Sequence, residues 1–142
     1  MRNNLSETKT VTAIRPISLA SATSTSVIID TKGYSLAKFL IQFGAVAGDI
    51  TSITVQSSEA SDFGSGVVNR LQADAAAITA AEAGAADLGL DADIRNWERY
   101  VRIVVVKASS AAVLVATVIL GNAHESPITA TTRGYSAALV AA

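Results

Sequence analysis

Two stretches of this chain alternate their side chains with a period of two, and that alternation confines the fold to sheets. In residues 34–46, Ala37, Phe39, Ile41 and Phe43 fall on one face while Leu36, Lys38, Leu40 and Gln42 fall on the other. This is the pattern of a strand with one face in a core. In residues 99–106, Tyr100, Arg102, Val104 and Val106 alternate with Val101, Ile103 and Val105. Residues 112–120 read as the return strand of a hairpin whose turn is residues 107–111. Both faces of that hairpin carry Val, Ile or Leu, which predicts central strands with contacts on two sides.

The remaining segments fit the same architecture. Residues 10–14 alternate like a half-buried strand, and Pro16 marks its end or an edge position. Residues 21–26 read as a Ser/Thr turn, followed by Val27-Ile28-Ile29 as a short strand closed by Asp30, Lys32 and Gly33. Residues 44–49 read as a hairpin loop. The return strand is residues 50–57, with Ile53 and Val55 inward and Thr54 and Gln56 outward. Residues 58–66 are loop chemistry with Phe63 as an aromatic anchor. In residues 70–93, Asp74, the alanines after it and Gly84 supply an N-cap, helix formers and a stop. Ile78 is the only large apolar side chain there before Leu88, so a helix would have little to bury. The segment is therefore predicted to be a long loop with at most a short helix. The sum is about seven strands: an all-β, antiparallel β-sandwich or jelly-roll-like single domain over residues 10–121. An N-terminal arm (1–9) and an extended C-terminal arm (122–142) flank it.

Composition narrows the function classes. The 142 residues carry a net charge of −1 and contain no cysteine, which removes disulfides, thiol catalysis and cysteine-ligated zinc. No basic stripe is present for phosphate neutralisation, so direct nucleic-acid binding is not expected. Charged residues are 16% of the chain, against about 25% in an average soluble domain, which suits a surface covered by neighbours and equally a bland Ala-rich bacterial domain. The first seven residues lack the apolar region of a secretory signal. Residues 101–120 are apolar in content, but Arg102, Lys107, Ser109 and Ser110 interrupt them, and no membrane span is predicted.

The sequence holds no reactive constellation. His124, the only histidine, has no nucleophile motif about it and reads as exposed or interfacial. Asp87, Asp91 and Asp93 around Gly89 do not have the spacing of a calcium loop, and Glu59 with Asp62 reads as loop polarity rather than a glycosidase pair. Gly64-Ser65-Gly66 lacks the third glycine and following helix of a dinucleotide fingerprint. No catalytic, cofactor or metal site is predicted, and the chain is read as a non-enzyme. Trp97 with Tyr100 suggests a core or interface anchor before a sugar platform. Arg95, Arg99 and Arg102 cluster beside these aromatics, and the set Trp97, Arg95, Arg99, Tyr100 and Arg102 is the predicted protein interface, joined by Arg133 and Tyr135 in the C-terminal arm.

Four segments in order, AKFLIQFGA (37–45), ITVQSS (53–58), RYVRI (99–103) and VILG (118–121) running on to Pro127, resemble a family of small structural proteins of tailed bacteriophages and prophages. These are head decoration or cement proteins. The resemblance covers residues 10–127 and rests on strands and turns; the Ala-rich stretch 73–86 and the tail after Pro127 are longer than the family pattern. It implies a β-sandwich or jelly-roll subunit, made in the host cytoplasm and placed on the outer surface of the virion's capsid. The implied partners are the major capsid protein and further copies of the chain, as a dimer or trimer. The competing expectation is a carbohydrate- or receptor-binding β-sandwich module of a phage tail.

Overall fold

The computed structural model describes residues 7–19, 22–84, 86–108 and 112–123. In chain order the elements are β1 (Lys9–Leu19), β2 (Thr23–Thr25), β3 (Ile29–Asp30), β4 (Leu36–Val46), β5 (Ile50–Ser58), β6 (Val68–Gln72), α1 (Ala75–Glu82), β7 (Ala86–Asp93), β8 (Tyr100–Lys107) and β9 (Ala112–Gly121). They form two antiparallel sheets. Sheet A has the order β1-β9-β4-β7 and sheet B the order β2-β8-β5-β6. β3 pairs with β8 further along the same side as β2, so the two short strands act as one interrupted edge strand.

Set side by side, the two orders match β1 with β2, β9 with β8, β4 with β5 and β7 with β6. Consecutive strands thus repeatedly change sheet, which is the double Greek-key wrapping of a jelly roll. Here two expected hairpins are corrected. Val46 pairs with Ala112 in sheet A, whereas Ile50 pairs with Lys107 in sheet B, so residues 47–49 step between sheets. The same step separates Lys107 from Ala112, so β8 and β9 are not paired with each other. Short connections suit either outcome. β4 is flanked by β9 and β7, and β8 by β2 and β5.

The inward residues are those the alternation selects. Phe39, Ile41 and Phe43 of β4 are at most 3% exposed, and Val101, Ile103 and Val105 of β8 are fully enclosed. Leu114, Ala116, Val118 and Leu120 of β9 complete the facing layer. Each large aliphatic or aromatic side chain so placed contributes about 1.5–3 kcal/mol.

Residues 70–93 are not a long loop; they hold the end of β6, then α1 and β7. The Asp74 carboxylate accepts a hydrogen bond from the Ala77 N–H at 2.8 Å and caps the helix. Gly84 ends it at φ +72°, where an added Cβ would lie 2.7 Å from the Gly44 carbonyl oxygen, so only glycine fits both backbone and space. Helix α1 buries little beyond Ala81. Its Glu82 carboxylate instead receives the Ile50 N–H at 2.8 Å, just where the chain changes sheet. Two further corrections concern residues 21–30. Thr23–Thr25 is strand rather than turn, and Val27 and Ile28 precede β3 with exposed side chains.

Lys107 ends β8 on its inward side and is 2% exposed. Its ammonium donates to the Leu19 carbonyl oxygen at 2.5 Å, and burial holds its pKa below the usual 10.5. A lysine whose folded pKa is depressed binds fewer protons folded than unfolded. Stability therefore rises with pH up to about 10.5 and falls as pH drops through the folded value. Thermal melts as pH is raised toward 10.5 should show this rise, and Lys107→Met should flatten it.

Candidate protein-contact surfaces

The two outer faces of the sandwich differ in chemistry, and the difference follows from register. On sheet A the outward positions of the central strands are Leu36, Lys38, Leu40 and Gln42 of β4 and Val113, Val115, Thr117 and Ile119 of β9. Leu36 is 48% and Val113 40% exposed, and Leu40, Val115 and Ile119 are half-buried. Lys38 pairs with Ile119, Leu40 with Thr117 and Gln42 with Val115, so the aliphatic side chains form a zigzag stripe along the middle of this face, interleaved with Lys38, Gln42 and Thr117. It is bordered by Thr10 and Thr12 of β1 and by Asp87, Asp91 and Asp93 of β7.

The outer face of sheet B carries half-buried Val104 and Val106 at one end of β8 and, at the other, a polar cluster whose members satisfy one another. Arg102 donates from Nε to the Gln56 side-chain oxygen at 2.9 Å, and Gln56 donates to Asn69 at 2.9 Å. The Arg102 guanidinium also lies 4.3 Å from the Phe63 ring centroid, a cation–π contact. Phe63 is buried at φ 56°, so the 58–66 loop carries the aromatic anchor expected of it.

The predicted interface residues do not form one patch. Trp97 is half-buried and stacks on Phe39, with centroids 6.1 Å apart and planes at 16°, so it anchors the core. Arg99 forms a two-pronged pair with Asp30 at 2.9 and 2.7 Å and lies 5.0 Å from the Tyr100 ring centroid. Arg95 turns away to pair with the Asp93 carboxylate beside the end of β7. Arg99, Tyr100 and Arg102 thus belong to the sheet B side, and Arg95 to the sheet A edge. Arg133, Tyr135 and His124 lie outside the described residues.

One polar cluster escaped the sequence reading. Ser57, fully enclosed on β5, donates its hydroxyl to the Glu98 carboxylate. Arg70 donates to Ser57 Oγ at 2.9 Å and pairs with Glu98 at 2.5 Å. The Arg70 guanidinium is also 5.9 Å from the Trp97 ring centroid. Arg70 occupies the register shift between β5 and β6, which turns it toward this end of the sandwich. The hydrogen bonds from Ser57 and then Arg70 pull the Glu98 pKa down to about 2. A carboxylate held so firmly ionised is a poor proton acceptor near neutrality, and the cluster contains no other base for Ser57. Its role is to clamp the loop before β8 onto sheet B. Because the folded pKa is depressed, the associated stability is complete above about 4.5 and is lost as pH falls toward 2. Melts between pH 5 and 2 should show that loss, and Glu98→Gln should remove this part of it.

Between the sheets, on the β6–β7 side, opens a cavity of about 370 Å³. Its walls include Phe39, Ile41, Ile53, Val55, Leu71 and Leu88, with Asp74 and Asp87 also in its lining. Asp87, Asp91 and Asp93 extend along one strand instead of converging; the six residue steps from Asp87 to Asp93 span about 20 Å. Among the described residues no group of three or more His, Cys, Asp or Glu side chains gathers as a metal site. No helix among them is long and apolar enough to cross a membrane. Comparison with known proteins finds no matching family model, no matching curated protein and no matching solved structure.

Proposed function

We propose that this protein is a structural virion component, a decoration or cement protein that binds the outer surface of a phage head and stabilises it. The observation that carries the reading is the aliphatic stripe of Leu36, Leu40, Val113, Val115 and Ile119 on the central strands of sheet A. A monomeric sheet facing water ordinarily alternates apolar-in with polar-out. Aliphatic side chains on both faces of the central strands suit a sheet whose outer side is covered by another protein. The major capsid protein, together with further copies of this chain, is the proposed cover. Binding to the assembled shell alone would stabilise it by about 2.7 kcal/mol per site at one hundred times Kd.

The aromatic side chains give the sugar-binding alternative little support. Phe39, Phe43 and Phe63 are buried, Trp97 stacks on Phe39, and Arg99 lies over Tyr100. The test is to express the tagged chain in a phage-producing culture and inventory by mass spectrometry the particles that sediment with it. Stoichiometric recovery with a major capsid protein is expected. Absence from particles, together with selective retention on a glycan array, would replace this reading with the carbohydrate module.

A further inference from the structure

We propose that the free edge of β7 receives an extended segment of a partner protein in which apolar side chains alternate with lysine or arginine. The inference concerns a different surface from the aliphatic face and does not depend on which assembly the partner belongs to.

Exposed strand edges invite pairing by foreign strands, and proteins guard them with bulges, prolines, brevity or charge. Three edges of this sandwich are guarded in the first three ways. β1 carries two register shifts and Pro16; β2 is three residues long; β6 has five residues and a register shift. β7 is different. It pairs with β4 in unbroken register over eight positions, from Leu36↔Asp93 to Phe43↔Ala86, and contains neither proline nor lysine. Among the described residues no second strand pairs with it.

The side chains of β7 specify what could add there. Asp87, Gly89, Asp91 and Asp93 lie on the outward face, and Leu88, Leu90 and Ala92 on the inward one. A strand laid along this edge would direct alternate residues toward the apolar inter-sheet cavity, beside Leu88 and the 37%-exposed Leu90. Its other residues would lie next to the aspartates. Among the described residues Asp91 pairs with an exposed Lys38 at 3.6 Å, a pairing of little worth in water. A Cβ at Gly89 would meet nothing within 4 Å, so the middle of the edge leaves room for a long basic side chain. The aspartates also exclude one occupant: edge-to-edge pairing of two copies through β7 would set like charges side by side. Recognition would follow the strand-addition mode, in which main-chain hydrogen bonds give affinity and alternate side chains give specificity.

The test uses the full chain and fluorescently labelled peptides of about nine residues, enough to span β7. One alternates Val and Lys, one has the same composition in two blocks, and one alternates Val and Glu. Anisotropy titration should find the Val/Lys alternate bound at least about tenfold more tightly than either control, with affinity falling as salt is raised. N-methylation of every second amide should abolish binding. Asp87→Lys with Asp91→Lys, both exposed positions, should weaken it by about tenfold or more. Equal binding of the blocked peptide, or unchanged affinity for the charge-reversed variant, would overturn the proposal. So would peptide binding only after removal of residues 124–142, which would make the chain's own tail the occupant. Self-association in sedimentation that the double variant disrupts would likewise assign the edge to a second copy.

Discussion

Phe39→Ala is expected to lower stability by about 3–5 kcal/mol, the range for emptying a buried phenylalanine site. Phe39 sits on β4, is 1% exposed, and supports the Trp97 ring by stacking. Its removal would enlarge the existing cavity, which already has Phe39 in its wall, so the surrounding layers have little means to collapse onto the gap. For a domain of this size the loss corresponds to a fall in Tm of about 10–20 °C. Native stabilities are only about 5–15 kcal/mol in total, so the variant would be close to unfolding at physiological temperature. The near-UV signal of Trp97 should weaken even where the fold survives. Leu40→Ala, one position along but on the half-buried outer side, should cost much less. Chemical denaturation of both variants measures the difference, and equal losses would contradict the assignment of inner and outer faces.

The second large effect is on binding. Leu36→Glu with Val113→Glu places two carboxylates on the aliphatic face of sheet A at positions 48% and 40% exposed in the free chain. Neither side chain is part of the inner core, so the melting temperature should move by little. Under the proposed function, binding to the capsid surface should fall by about a hundredfold or more, because a central contact residue is worth about 2 kcal/mol or more and buried unpaired charge adds its own cost. Sedimentation of each variant with particles, at matched concentration, provides the measurement. Asn69→Glu on the sheet B face should leave binding near the wild-type level.

Much of the sandwich was legible because period-two alternation reports directly which side chains are enclosed. Residues 37, 39, 41 and 43 and residues 101, 103 and 105 are the buried sets that pattern selected. Which strand pairs with which was not legible. Alternation identifies a face but not a neighbour, so two sheet-crossing connections looked like hairpins. β7 escaped notice because Gly89 and three aspartates lower its strand propensity. Its Leu88, Leu90, Ala92 alternation was nevertheless present in the sequence. The helix was half visible: Asp74 and Gly84 marked its ends, while its small buried surface argued against it. The Arg70–Glu98–Ser57 cluster joins residues up to 41 apart in the chain. Only the strand register brings them together, so no local motif announces it. The interface set was dispersed for a related reason, since Trp97 and Arg95 precede β8 and find partners on β4 and β7 rather than beside Tyr100.

The claim on which the functional reading turns is that sheet A's outer face is the working surface. A cryo-EM reconstruction of a phage head carrying this protein tests it most directly. Partner density is expected against Leu36, Leu40, Val113 and Ile119, with the Arg102–Gln56–Asn69 cluster of sheet B left in solvent. A map in which sheet A faces bulk water while another surface holds the shell would contradict it.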